Sequence, residues 1–384
     1  MYVFSIDLSK AFDTVDLSVV SDCLRQYVPH YLVNRIIKAC FWERTSVKWF
    51  NVLTERVRKN KGIKQGCPLS PRIFNFILNE VLVTVSDVHP ELRLEQRNTL
   101  QLPLILAYAD DIVLITRNVA TIEPILAELV NSLREVGLEI NPNKCTTLIR
   151  DPNSSFIPPS VLTLSGVTFK RVEHMRYLGT YLSSTLSRPH TIRTRCHQAL
   201  GLAKQMKDFI KRNKVPFDIV LKMYHTVLFP MMTYGLKTAT LTFANRRRLR
   251  KYELFVLRRL TEFCSDRPST CKIKDILHGK TVTKRIKAQR VNYWGHIHRR
   301  GSTHILKSAL NYSAGPKKVG RPCFTWKDSL EQDLKNYNRS PLEWEALLPN
   351  RVELRIAANE IYSCDESDSS EFLEEDNPDE NMQI

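Results

Sequence analysis

The sequence predicts an α+β fold: a split βαβ sheet with helices on one face, followed by a mainly helical second half. Three observations carry this. Short apolar runs of strand character alternate with stretches of helical spacing through residues 2–182, in the order strand, helices, hairpin, helix, strand. From Thr191 to about Arg290 the spacing is mostly helical and strongly basic. With 43% hydrophobic residues over 384 positions, the chain can bury a sizeable core in two or more domains.

Each element has its own signal. Residues 2–6 (Tyr-Val-Phe-Ser-Ile) are a β-prone run that stops at Asp7. Residues 15–42 have helical spacing with a break at Pro29. Lys59 to Pro71 reads as a Gly-, Pro- and Lys-rich loop, after which Ser70 caps a helix with Pro71 at its first position. Ile73, Phe74, Phe76, Ile77, Val81 and Leu82 make that helix well buried. Residues 102–108 and 112–116 form an apolar hairpin with Asp110-Asp111 between its strands. A helix from about Ile122 to Val136 stops at Gly137. Leu138–Ile140 and Cys145–Ile149 flank an Asn-Pro-Asn-Lys turn, and residues 161–182 hold further short strands around Tyr177-Leu178-Gly179. No internal repeat is evident.

Composition excludes several classes. Nine cysteines over this length are too dilute, and odd in number, for a disulfide scaffold. No run approaches the ~20 apolar residues of a membrane span, and no basic region precedes an apolar leader at Met1, so the setting expected is intracellular and reducing, with a nuclear or ribonucleoprotein location compatible. The net charge is +17, from 57 Lys and Arg against 40 Asp and Glu. Nine of the carboxylates follow Cys364, where no Lys or Arg occurs, so residues 364–384 read as a disordered acidic tail. Residues 1–363 then carry 57 basic against 31 acidic side chains, or +26, which favours a polyanion and nucleic acid first.

Asp110 and Asp111 are consecutive acids in the apolar stretch Leu-Ile-Leu-Ala-Tyr-Ala-Asp-Asp-Ile-Val-Leu-Ile. Adjacent carboxylates repel, and apolar neighbours disfavour their charge, so the pair needs water or a cation. Asp7 ends another apolar strand, and the expected topology brings it beside the pair at the tips of neighbouring strands. Three such oxygen ligands suit a hard ion such as Mg²⁺, and two ions about 3.5–4 Å apart can clamp an in-line phosphoryl displacement.

The segments Phe4-Ser-Ile-Asp7-Leu-Ser-Lys10-Ala-Phe12-Asp13, Gly62-Ile-Lys-Gln65-Gly66-Cys-Pro68-Leu-Ser70-Pro71 and Ala107-Tyr108-Ala109-Asp110-Asp111 occur in that order. They resemble motifs A, B and C of reverse transcriptases, specifically those of non-LTR retrotransposons. Asn141-Pro142-Asn143-Lys144 resembles motif D, and Tyr177-Leu178-Gly179 resembles motif E, the primer grip. Further segments, Met223-Tyr224 to Tyr234-Gly235, Arg290 to Arg299 around Trp294-Gly295-His296, and Gly320-Arg321-Pro322 to Trp326-Lys-Asp328, are similar to the C-terminal region of RTE-like elements.

The resemblance implies a right-hand polymerase palm over residues 1–182, with partial fingers at 14–61, a basic helical thumb at 183–290, an element-specific region at 291–363 and the tail. It implies RNA-directed DNA synthesis on an RNA template and DNA primer, with deoxynucleoside triphosphates as substrate and no membrane partner. Asp7, Asp110 and Asp111 would hold two Mg²⁺, or Mn²⁺, with the carbonyl of Leu8 a further ligand. Phe12 would lie under the incoming sugar and exclude a 2′-hydroxyl. Gln65, Gly66 and Tyr108 would border the nucleotide, a glycine letting backbone approach closely. Lys144 would meet the pyrophosphate as a proton donor. Arg246, Arg247, Arg248, Arg250, Lys251, Arg258 and Arg259 would face template–primer phosphates.

The chain begins just before motif A, so upstream fingers and an N-terminal endonuclease are expected to be missing, with exposed apolar surface where those fingers would pack. A second reading follows: a non-catalytic nucleic-acid-binding remnant of a retrotransposon polyprotein. A third, a host polymerase of telomerase or intron type, is disfavoured by the Trp294-Gly295-His296 and Gly320-Arg321-Pro322 segments. Cys264, Cys271, His278, His296, His298 and Cys323 show no tight Cys-x-x-Cys spacing, and no zinc site is assigned to them.

Overall fold

The computed structural model describes the whole chain except residues 42–43, 59–60, 93–101, 151–157, 185–188, 263, 270–271, 274, 276–280, 303, 312–324, 336, 338 and 364–384. It divides into two compact units, Met1–Leu186 and Ser187–Ile384.

The first unit opens with β1 (Tyr2–Asp7), a short α1 (Ala11–Thr14), α2 (Leu17–Tyr27) and α3 (His30–Phe41). Two small ribbons follow: β2 (Arg44–Thr45) pairs with β5 (Val57–Arg58), and β3 (Lys48–Trp49) with β4 (Val52–Leu53). Trp49, Phe50, Val52 and Leu53 on them are exposed. Next come α4 (Ser70–Val88), β6 (Leu104–Tyr108), β7 (Asp111–Thr116), α5 (Val119–Glu135), β8 (Thr146–Ile149), β9 (Val161–Leu164), β10 (Val167–Arg171) and the hairpin of β11 (His174–Tyr177) and β12 (Thr180–Ser183). The main sheet has the order β6-β7-β1-β8-β10-β9, all neighbours antiparallel except β8 and β10.

Period-two alternation assigns the two faces of this sheet. Phe4 and Ile6 of β1, and Ile112 and Leu114 of β7, point into a core shared with α2, α4 and α5. Each such fully buried side chain contributes roughly 1.5–3 kcal/mol. Val3 and Val113 point the other way, onto Leu148 and Met175, with Tyr177 and Leu182 packed against them. The helices therefore lie on one face, as expected, and the β11–β12 hairpin lies against the other. Asp7 and Asp111 share the parity of Val3 and Val113, so the sheet itself turns both carboxylates away from the helices.

Three local expectations change. Leu69, not Ser70, is the residue before α4; the Ser70 hydroxyl donates instead to the Lys64 carbonyl at 2.6 Å, closing the preceding turn. Asp111 belongs to β7 rather than to the turn. α5 starts at Val119, three residues earlier than its apolar spacing suggests, because the Asn118 side chain caps it by accepting from the Ala120 N–H at 3.0 Å.

The second unit is helical: α6 (Pro189–Arg212), α7 (Phe217–Met223), a π-turn at Tyr224–Leu228, α8 (Phe229–Thr233), α9 (Phe243–Thr261), α10 (Val282–His298), α11 (Ile305–Leu310), α12 (Trp326–Leu334), α13 (Pro341–Leu347) and α14 (Arg351–Ser363). α6 to α9 enclose one core, including Ile192, Val220, Tyr224 and Val256. Val291, Trp344, Leu354 and Ala358 of α10, α13 and α14 form another. α10 runs unbroken through residues 290–291, so the boundary expected there falls inside a helix. Cys271, His278, Cys323, the Gly320-Arg321-Pro322 segment and the acidic tail lie outside the described residues. Among the described residues no helix is long and apolar enough to cross a membrane.

Candidate active site

Strand register does most of the positioning. β1 and β7 are antiparallel, and Asp7 is directly opposite Asp111. Directly opposed side chains have Cβ atoms about 4.5–5.5 Å apart, and like charges there are destabilising. The β6–β7 hairpin closes with Tyr108 opposite Asp111, leaving Ala109 and Asp110 as a two-residue turn. Ala109 has φ of 51°, a left-handed conformation that an L side chain adopts at a cost of roughly 1–2 kcal/mol. Strain of this kind gathers at functional sites. Tyr108 and Asp110 are exposed beside it.

The electrostatics follow from this crowding. Burial, then the charges of Asp110 and Asp7, push the Asp111 carboxyl above the ordinary aspartate range, while Arg176 pulls it back. Asp7 Oδ2 is shielded from solvent and has no hydrogen-bond partner. Lys144 Nζ lies 3.4 Å from it, an ion-pair contact without hydrogen-bond alignment. Among the described residues no three His, Cys, Asp or Glu side chains are gathered closely enough to hold a metal as they stand. Asp7 and Asp111 are brought together by register, and Asp110 stands out in the turn, as repulsion among three carboxylates would favour.

Lys144 is aimed by its turn. The Asn143 N–H donates to Asn141 Oδ1 at 3.1 Å and the Lys144 N–H to the Asn141 carbonyl at 3.2 Å. This turn is laced to the end of β1: the Asn141 N–H donates to the Asp7 carbonyl and the Ser9 N–H to the Glu139 carbonyl, both at 2.7 Å. These bonds form the Leu8–Ile140 bridge without using the Leu8 carbonyl.

Phe12 on α1 is half-buried and stacks on fully buried Phe74 of α4, with ring centroids 4.9 Å apart and planes 19° apart. The Gly62–Gly66 loop runs against α1: the Ile63 N–H donates to the Phe12 carbonyl at 2.6 Å and the Gly62 N–H to the Val15 carbonyl at 2.8 Å. Gln65 Nε2 reaches Asp13 Oδ1 at 3.5 Å. A close approach of backbone to backbone occurs at Gly62. There φ is 84° and a Cβ would stand 2.7 Å from the Asp13 carbonyl oxygen. Gly66, at φ 81°, has open space on its Cβ side.

In the β11–β12 hairpin, Leu178 (φ 45°) and Gly179 (φ 73°) make the tight turn, with Tyr177 opposite Thr180. Burial and the Asp111 charge push the Tyr177 hydroxyl up. Tyr177 and the carboxylates thus share the helix-free face. Arg176, the cation acting on Asp111, was not singled out by sequence; its only signal was its place beside Tyr177.

The basic cluster on α9 divides. Arg246 is buried and its Nη2 lies 2.8 Å from Asp333 Oδ1, so it is a core ion pair and not a phosphate contact. Arg250 Nη1 donates to the Thr281 and Thr283 hydroxyls, each at 3.2 Å. Lys251, Arg258 and Arg259 are exposed, with Arg259 Nη1 3.5 Å from Glu262; Arg247 and Arg248 are half-buried.

The reverse transcriptase (RNA-dependent DNA polymerase) family matches residues 1–182. The Pol polyprotein of the type-2 retrotransposable element R2DM of Drosophila melanogaster is 25% identical over 279 residues, covering 70% of this chain and 25% of the polyprotein. That of the type-1 element R2 of Popillia japonica is 26% identical over 249 residues, covering 62% of this chain and 39% of the relative. The chain thus spans well under half the length of these R2 relatives. A solved Candida tropicalis telomerase, in complex with a fragment of telomeric RNA, aligns over 80% of this chain and 48% of its own, with 12% identity and a TM-score of 0.39. Residues 1–182, with their paired aspartates on the helix-free face, match the reverse transcriptase family, and the chain is similar to the Pol polyproteins of R2 retrotransposable elements.

Proposed function

We propose that the chain carries RNA-directed DNA polymerase activity, extending a DNA primer on an RNA template from deoxynucleoside triphosphates. The observation that carries this is the register of Asp7 against Asp111 beneath Lys144. Reverse transcriptases generally use divalent metal ions, and the donors here fit one: Asp7 Oδ2 is buried without a hydrogen bond, and Asp111 carries a like-charge burden from Asp110 and Asp7 that Arg176 only partly offsets. Asp7, Asp110 and Asp111, with the Leu8 carbonyl, are the residues that would hold two Mg²⁺ or Mn²⁺. When bound, the ions would make the primer 3′-hydroxyl more acidic and offset charge on the departing pyrophosphate.

The remaining roles belong to the chain itself. The 3′-hydroxyl gives its proton to solvent water, its oxygen attacks the α-phosphorus, a new phosphodiester bond forms, and the bond to pyrophosphate breaks. The Lys144 ammonium would give its proton to that leaving group. Phe12, braced by Phe74, would block a 2′-hydroxyl, so deoxynucleotides are preferred. Gly66 would leave room for the nucleotide, with Gln65 and Tyr108 at its edge. Tyr177, Leu178 and Gly179 would hold the primer end, and Arg247, Arg248, Arg250, Lys251, Arg258 and Arg259 would face template–primer phosphates. The RTE-like subtype is our finer reading, carried by the Trp294-Gly295-His296 segment.

The test is extension of a labelled DNA primer on an RNA template at low salt, with wild type and Asp110→Asn. Expected is extension by wild type only, a loss of roughly 10³-fold or more in the variant, and equal template–primer binding by both. Wild-type binding without extension would favour the remnant reading. Loss of binding together with extension in the variant would make the pair structural.

A further inference from the structure

The Trp294-Gly295-His296 segment has no part in the chemistry above, yet it sets how α10 and α14 meet. A Cβ at Gly295 would stand 2.1 Å from Leu354 Cδ2 and 2.8 Å from Arg299 Nη1. Leu354 is fully buried. Only a residue without a side chain lets the two helices pack this closely. Residues four and three apart share a helix face, so Asn292, His296 and Arg299 align on α10, and Arg351 and Arg355 align on α14. These five line one cavity of about 450 Å³.

That volume lies in the ~300–1,000 Å³ range of ligand pockets, but such pockets are mostly apolar. Here every lining residue is polar or cationic, and none is a carboxylate. Arg299 Nη1 donates to the Leu348 carbonyl at 2.7 Å, which fixes its guanidinium at the wall. Arg351 and Arg355 are exposed and have no ion-pair or hydrogen-bond partner for their side chains among the described residues. His296 reports the resulting field: burial, then Arg300, Arg299, Lys237 and His304, hold its imidazole below the ordinary histidine range. Its ring also stacks nearly parallel on Tyr293, centroids 6.0 Å and planes 15° apart. A cationic groove edged by stacked rings is the general design for single-stranded nucleic acid.

We propose that the cavity between α10 and α14 is a phosphodiester-binding site for single-stranded nucleic acid, with Arg299, Arg351 and Arg355 as its phosphate contacts. It belongs to the second unit and requires no polymerisation.

The test is binding of the full chain to a fluorescein-labelled single-stranded oligouridylate, titrated at several salt concentrations. Arg351→Gln/Arg355→Gln is compared with wild type and with Lys211→Gln/Arg212→Gln, which removes the same charge from the exposed end of α6. Thermal melts verify that each variant folds; both arginines are exposed, so the core is untouched. The expected result is a loss of about tenfold in affinity at low salt for the Arg351/Arg355 pair, and a salt slope shallower by about 1.4, the value for two lost single-strand phosphate contacts. The Lys211/Arg212 pair should change little. Unchanged affinity and slope in the Arg351/Arg355 variant would overturn the proposal. So would equal losses in the two variants, which would mean diffuse charge attraction, or loss of inorganic phosphate binding alone with oligonucleotide binding intact.

Discussion

On the first unit's sheet, Asp7 and Asp111 place like charges side by side at strand ends, next to the left-handed Ala109 turn. In the second unit, Asp333 lies fully buried between Arg246 and Arg290, and Arg290 Nη2 also donates to the Ala239 carbonyl at 2.9 Å. The first arrangement costs stability and is open to solvent. The second compensates its charges internally and is closed. The difference teaches that charge density along a sequence is a poor guide to where a protein meets its ligands. Like charges crowded on a rigid frame mark a site, whereas a paired charge in a core marks packing.

The contrast can be broken most sharply with paired variants. Asp333→Asn leaves two guanidinium groups buried without a carboxylate, so it should destabilise the protein by about 3–5 kcal/mol. Asp111→Asn removes like-charge repulsion and should leave the melting temperature unchanged or raised. Denaturant unfolding of both variants checks this, and equal destabilisation would erase the distinction.

A second buried charge sharpens it. Glu253 accepts from the Tyr224 hydroxyl at 2.9 Å and from the Val282 N–H at 3.0 Å, and burial raises its carboxyl to about 7 from an ordinary 4.5. Between those values the folded protein holds a proton that the unfolded chain has released. Stability from this group is therefore present below pH 4.5 and lost as pH rises towards 7, at about 1.4 kcal/mol per unit, roughly 3 kcal/mol in all. Glu253→Gln keeps an acceptor for both donors and should flatten that part of the stability profile. An unchanged slope would place the proton elsewhere.

The smallest expected effects separate the two loop glycines. Gly62→Ala should destabilise by more than the ~1 kcal/mol of a left-handed alanine, because its Cβ meets backbone at Asp13. Gly66→Ala should cost only that ~1 kcal/mol of backbone strain, yet slow primer extension more than Gly62→Ala does. The opposite ranking in the extension assay would remove Gly66 from the nucleotide site.

Much of this was legible in the residues. The alternation of β1 and β7 was readable, and it fixes both the sheet and the side on which Asp7 and Asp111 emerge. The ordered motifs supplied the pairing of strands far apart in sequence, which periodicity alone does not give. Arg246 was misread because a run of arginines looks solvated. Its helix phase held the correction: it precedes Leu249 by three and Glu253 by seven, so it shares their buried face. Ser70 was misread because a serine before Pro71 fits a cap, and nothing local shows its hydroxyl turning back to Lys64. The close approach at Gly62 depends on α1, distant in the chain, so nothing local in the sequence signals it.

Asp7 and Asp111 are expected to cradle a divalent ion together. Electron paramagnetic resonance of Mn²⁺ titrated into the full chain with primer–template, in wild type, Asp7→Asn and Asp111→Asn, tests it most directly. Bound Mn²⁺ is expected in wild type, with a marked loss in each single variant and folding retained. Equal Mn²⁺ binding in all three proteins would contradict it.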